Sequence, residues 1–176
     1  MDPEIIIRPY QEVNKDKVAS LIVRIQREEF GIDIALQDQP DLLNIGQFYQ
    51  RKNGNFWCAT NSYEEIVGTI ALLDIGNRMG AVRKMFVRQD YRGKEKNAAK
   101  DLLDVLENWS MQKQFETLYL GTIDKFKAAQ RFYFRNDYKM IDPSRLPVNF
   151  PKMNVDNLFF AKTLPVHFGG DRGLLR

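Results

Sequence analysis

Histidine and cysteine are almost missing from this 176-residue chain, which has one of each, His167 and Cys58. A single cysteine cannot close an internal disulfide, which fits a cytoplasmic setting. No histidine–cysteine–carboxylate spacing of the metal-holding kind occurs, so no metal is expected. His167 falls in a loose tail and is read as a bystander. Cys58 stands among Phe56, Trp57 and Ala59, the surroundings of a buried structural thiol rather than of a nucleophile. Long hydrophobic runs are missing too. The apolar stretches are broken by Arg8, Arg24 or Asp74, and the opening Met-Asp-Pro-Glu lacks the basic-then-apolar layout of a secretory signal. No membrane partner is expected. Nor does a basic stripe, zinc-finger spacing or arginine-rich tail accompany the formal charge of +3, so no nucleic-acid partner is expected either. A mildly positive pocket for a polyanionic ligand accounts for that charge as well as a chance surface surplus does.

What is present is the make-up of an ordinary globular protein, 44% apolar and 28% charged. The length suffices for one substantial core and is short for two. One domain over 1–165 is expected, with a flexible tail over 166–176.

Periodicity predicts a strand at Ile5–Arg8, stopped by Pro9, and a helix from Asp16 to Phe30 with Val18, Leu21, Ile22 and Ile25 on one face. Asn14 or Asp16 can cap this helix, and Gly31 lies where it should end. Leu36–Gln50 is less regular, with a second helix starting at Pro40. Strands at Phe56–Thr60, Ile66–Leu73 and Ala81–Val87 are joined by tight polar turns, which favours an antiparallel meander. The period then lengthens. Asn97–Lys113 is a broad-faced helix, Phe115–Gly121 a strand, Phe126–Asn136 a helix and Tyr138–Ile141 a short strand. After a proline-containing loop, Asn157–Leu164 is a last strand, expected at an edge. Strand, helix, strand around Asn97–Lys113 implies one parallel neighbouring pair in a largely antiparallel sheet. The order excludes a doubly wound dinucleotide fold.

The most informative stretch is Ala81–Trp109. An apolar strand runs into a turn at Gly93, and a helix starts a few residues later. A helix start leaves about four backbone N–H groups unpaired and carries roughly half a positive charge, a ready phosphate site. Arg88, Arg92, Lys94 and Lys96 surround it, and the small Ala98 and Ala99 permit close approach. By the residues alone, a solvated turn with chance lysines reads equally well.

This stretch resembles the acyl-coenzyme A loop of the GNAT superfamily of N-acetyltransferases, and the likeness extends over essentially Ile5–Leu164. The family's loop has the form Arg/Gln-x-x-Gly-x-Gly/Ala. Two registers compete: Arg92 first, which sets Glu95 and Asn97 at the small positions, or Lys94 first, giving Lys94-x-x-Asn97-x-Ala99. The second fits better, with Asn97 where the family has glycine. The span Leu118–Ile141 resembles the family's fifth strand and fourth helix, with Ala129 and Tyr133 matching its Ala-x-x-x-Tyr. Phe126 stands where many members carry asparagine. Leu146–Phe160 resembles the final hairpin of one branch.

The resemblance implies an α/β (α+β) fold, a mixed and mostly antiparallel central sheet with a splayed parallel strand pair and flanking helices. It implies direct transfer of an acetyl group from acetyl-coenzyme A to a primary amine of a small molecule or peptide. Tyr133 would protonate the departing thiolate, although by residue type it also reads as a core aromatic. Cofactor contacts are implied at Met85, Phe86 and Val87 of the splayed strand, at Arg92, Lys94, Glu95, Lys96, Asn97, Ala98 and Ala99 of the corner, and at Phe126. Asp74, Tyr119, Glu28, Glu29 or a water chain are open as the general base. A non-catalytic acyl-coenzyme A or protein-binding module on the same fold is the competing class. Amphipathic and aromatic surfaces are compatible with a homodimer.

Overall fold

The computed structural model describes residues 4–166, so His167 and nearly all of the expected tail lie outside the described residues. Seven strands form one sheet: β1 (Ile6–Pro9), β2 (Asn55–Thr60), β3 (Ile66–Asp74), β4 (Met79–Val87), β5 (Thr117–Thr122), β6 (Lys139–Ile141) and β7 (Leu158–Thr163). Their spatial order is β1-β2-β3-β4-β5-β7-β6, antiparallel except where β4 meets β5.

Side chains of a strand alternate between faces, and this alternation separates two cores. On one face Trp57, Ala59, Val82 and Val87 pack with Leu102, Leu103 and Leu106 of α4 (Ala98–Gln112) and with Tyr133 of α5 (Lys127–Arg135). On the other, Phe56, Cys58 and Ala71 pack with Val18, Leu21 and Ile22 of α1 (Lys15–Arg24), with Leu42 of α2 (Pro40–Leu43) and with Ile45 and Tyr49 of α3 (Ile45–Tyr49). Cys58 is buried, which pushes its thiol up to about 12.

Three elements differ from the sequence expectation. The last strand, β7, is not at an edge: it lies between β5 and β6, and Phe159 and Phe160 are both buried there. The three-residue β6 takes the edge instead, a short strand that offers little to a stray partner. The first helix does not run uniformly to Phe30. It widens into a π turn at Ile25–Glu29, closed by the Phe30 N–H donating to the Ile25 carbonyl at 3.2 Å, and Gly31 follows at φ +61°. The segment after Leu36 is two short helices broken at Asn44, with Pro40 opening the first. At the other edge, β1 continues through Pro9, opposite Trp57, where an outward-facing missing N–H breaks no ladder.

Candidate active site

Two local irregularities of β4 open the sheet. Its parallel pairing with β5 covers only Met79–Ala81 opposite Thr117–Tyr119, so beyond Ala81 the strands part. On its other side, Thr69 faces Phe86 but Ala71 faces Arg83, which inserts an extra residue into β4. Lys84 absorbs it at φ +52°, and the Thr69 hydroxyl donates to the Lys84 carbonyl at 2.7 Å. A bulge re-aims the side chains beside it. Here it turns both Arg83 and Lys84 toward α2 and α3: Arg83 lies 5.8 Å from the Phe48 ring centroid, and the Lys84 ammonium sits 3.2 Å from Asp41.

The gap becomes a cavity of about 990 Å³, lined from both faces of the sheet. That is the upper range for a small-ligand site. Its walls include Met85, Phe86 and Val87 of β4, Ala99 of α4, and Ala129 and Tyr133 of α5. The Val87 carbonyl accepts from Arg92 Nε at 2.7 Å, while the other guanidinium arm pairs with Glu29 at 2.5 Å. Arg92 thereby staples the corner to the end of the π turn.

The corner itself ends at Asn97, in the left-handed region at φ +54°, ψ +12°. Asparagine tolerates that region better than most residues. The Asn97 N–H donates to the Gly93 carbonyl at 3.0 Å, and the Asp101 N–H closes the first helical turn on the Asn97 carbonyl. The Asn97 amide donates to Asp101 at 3.1 Å instead of accepting from the helix, so no side chain caps the first N–H groups of α4. Those donors carry the helix's positive end. Lys94, Lys100, Lys125, Lys127 and Arg135 line the cavity as well, which makes its lining strongly cationic.

Tyr133 is 7% exposed, and burial pushes its phenol up, with a smaller contribution from the nearby Asp156 carboxylate. Its hydroxyl has no hydrogen-bond partner among the described residues, yet no buried polar side-chain atom is left unpaired. The hydroxyl therefore opens to the cavity that Tyr133 lines. A neutral, unengaged phenol can donate a hydrogen bond to whatever occupies the cavity.

Of the residues singled out in the sequence, Met85, Phe86, Val87, Arg92, Lys94, Asn97, Ala99, Phe126 and Tyr133 line this one cavity. Glu95, Lys96 and Ala98 do not: Ala98 is fully buried against the sheet, Glu95 is exposed, and Lys96 lies 6.0 Å from the Tyr91 ring. The four residues named as bases also lie outside the lining. Asp74 accepts from the Gly76 N–H in its turn, Tyr119 meets Phe150 edge-on, Glu28 is exposed and Glu29 is paired.

Sequence reasoning missed several lining residues. Phe30 stacks on Phe126 across the cavity mouth. Gln26 is turned inward by the π turn and exchanges two hydrogen bonds with Gln39, at 3.0 and 2.9 Å. Gln39 also accepts from Lys84 at 2.8 Å, and Asp41 accepts from the Tyr49 hydroxyl at 2.5 Å. Lys84, Asp41, Tyr49, Gln39 and Gln26 thus form one buried polar network beside the cavity. Asp156 belongs to the loop before β7, and it is the one carboxylate among the described lining residues. For Lys84 and Gln26 the only sequence signal was polarity at positions that periodicity makes inward, and the bulge and the π turn each break that periodicity.

Comparison with known proteins adds a family. Residues 20–138 match the model of the Acetyltransferase (GNAT) family. The chain is similar to an acetyltransferase of the GNAT family from Staphylococcus aureus MU50, with 41% identity over 92% of this chain and 100% of that one and a TM-score of 0.87. It is similar to an acetyltransferase from Streptococcus agalactiae 2603, with 28% identity, 91% and 98% coverage and a TM-score of 0.86. It shares the fold of PaiA N-acetyltransferase from Thermoplasma acidophilum in complex with coenzyme A, at 16% identity, 91% and 99% coverage and a TM-score of 0.69. No curated protein matches the chain.

Proposed function

Since the chain belongs to the GNAT acetyltransferase family, we propose that it transfers an acetyl group from acetyl-coenzyme A directly to a primary amine of a small molecule or peptide. One observation carries this reading. A single cavity joins the uncapped start of α4 to the Tyr133 hydroxyl through the gap between β4 and β5. The residues present suit coenzyme A. The α4 amides and Lys94 meet the pyrophosphate, and the β4 main chain beyond Ala81, freed from β5, meets the pantetheine amides and the thioester carbonyl. Such preset donors stabilise the charge that develops on the carbonyl oxygen. The amine nitrogen attacks the thioester carbon, the carbon–sulfur bond breaks, and the sulfur takes the proton of Tyr133. The phenolate then recovers a proton from the newly acylated nitrogen. The chain is expected to do this in the cytoplasm.

The test is titration of the purified chain with acetyl-coenzyme A while thiol release is followed over a panel of amines. Amine-dependent release supports the transferase reading. Tight binding without it would leave a non-catalytic acyl-coenzyme A binding module, and no binding would remove both.

A further inference from the structure

Besides the residues of the α4 corner, the cavity lining carries two opposite charges that are not ion-paired to each other. Arg83 is on β4 and Asp156 is on the loop before β7; both line the cavity. Among the described residues Arg83 has no carboxylate partner. Its guanidinium donates to the Met153 sulfur at 3.2 Å and lies 5.8 Å from the Phe48 ring centroid, and Asp156 feels its charge without forming an ion pair. Its neighbour Lys84 differs, because Asp41 neutralises it at 3.2 Å with both side chains almost wholly buried. The bulge therefore delivers two cations to one face and the fold neutralises only one.

Asp156 is as under-committed as Arg83. Its carboxylate accepts one long hydrogen bond, 3.3 Å from the Met153 N–H, and burial raises its pKa above the ordinary carboxylate value against the opposing pull of that bond and of the Arg83 and Lys152 charges. The fold makes room for it at another residue's expense. Gly121 on β5 lies beneath it, and a Cβ there would come within 2.4 Å of the Asp156 carboxylate oxygen. A carboxylate kept partly desolvated near Tyr133, with Arg83 and Lys152 acting on it only from beyond ion-pair distance, gains from a ligand that brings a cation into direct contact.

We propose that the acceptor is an amine bearing its own anionic group, an amino-acid-like zwitterion, with its ammonium at Asp156 and its carboxylate at Arg83. This rests on the transferase reading above and names the acceptor class for the same site. The ammonium gives one proton to the Asp156 carboxylate, which passes it to water before the next turnover, and the free amine attacks the thioester carbon. A guanidinium–carboxylate pair supplies orientation through two parallel hydrogen bonds. A polyamine suits the site less, since Arg83 repels its second charge.

The experiment compares matched acceptors on the full chain with saturating acetyl-coenzyme A: free amino acids, their methyl esters, the amines lacking the carboxylate, and linear diamines. The expected result is a kcat/KM about tenfold or more higher for the free acids than for the esters. In Arg83→Gln that ratio should collapse toward one, Arg83→Lys should restore part of it, and affinity for acetyl-coenzyme A should be unchanged in both. Asp156→Asn should lower kcat/KM for every amine. Esters or diamines equalling the free acids, or an unchanged ratio in Arg83→Gln, would overturn the assignment. Should no amine be acetylated, the transferase reading fails. Calorimetric binding of the same acceptors to the coenzyme A complex then decides the acceptor class: free acids bound more tightly than esters, with the difference lost in Arg83→Gln, sustain it, and equal binding refutes it.

Discussion

The rings of Phe30 and Phe126 lie with centroids 4.5 Å apart, joining the end of the π turn to the residue that precedes α5. Phe86 on β4 lies 6.5 Å from Phe30, so three aromatics from three elements converge on the gap in the sheet. The family resemblance places asparagine at the position of Phe126. Here the polar contact is replaced by an apolar clamp, and an aromatic pair adds about 0.5–1.5 kcal/mol beyond its buried area. Phe126→Ala should raise KM for acetyl-coenzyme A several-fold, with a melting temperature only a few degrees lower. An unchanged KM in steady-state kinetics would show that the clamp does not touch the donor.

Tyr133→Phe should lower turnover by about 10²-fold or more, the ordinary range for a positioned general acid, and leave acetyl-coenzyme A affinity nearly constant. Burial raises the Tyr133 phenol, so it stays protonated in mildly alkaline solution. The rate of the unmodified enzyme should therefore show no loss from this group up to its ordinary value near 10. A pH–rate series on both proteins checks this, and equal turnover across the series would reject the acid role.

Asn97 sits at φ +54°, where alanine is strained and glycine is not. Asn97→Gly should preserve acetyl-coenzyme A binding, and Asn97→Ala should weaken it about fivefold by distorting the approach to α4. Calorimetric titration of the two variants distinguishes backbone conformation from side-chain contact, because a contact made by the amide would be lost in both.

Lys84 and Asp41 are buried and paired at 3.2 Å. Removing one partner leaves a buried charge alone, which typically destabilises by about 3–5 kcal/mol. Lys84→Met should lower the melting temperature by roughly 6–20 °C, and Lys84→Met combined with Asp41→Asn should recover part of that loss. Calorimetry or circular-dichroism melts of the unmodified chain, Lys84→Met, Asp41→Asn and the double variant give the coupling directly. Strict additivity would show that the pair is not the reason for Lys84's burial.

Most of the fold was legible in the sequence because β2 and β3 are short apolar runs set between polar turns and the 3.6 period stays intact across α4 and α5. The antiparallel meander and the parallel crossover followed from turn lengths and from the helix between β4 and β5. The place of β7 was not legible. Strand order depends on pairing at a distance, and a six-residue strand carries no mark of which neighbours flank it. At the site, Asn97 and Tyr133 stood out because backbone chemistry and motif spacing single them out. Arg83, Lys84 and Gln26 stayed hidden, since the bulge and the π turn each shift alternation by one residue. Asp156 was hidden for a different reason: only the absence of a side chain at Gly121, thirty-odd positions earlier, makes room for it.

The insertion of β7 between β5 and β6 has an evolutionary corollary. The connection from Ile141 to Leu158 is tethered at both ends by neighbouring strands of one sheet, and it brings Phe150, Met153 and Asp156 to the cavity. Its length and sequence can drift without altering any strand register or the α4 corner. On the proposed reading, a change in this loop alters the Asp156 half of the acceptor site and leaves the Arg83 half, held by the β4 bulge, in place.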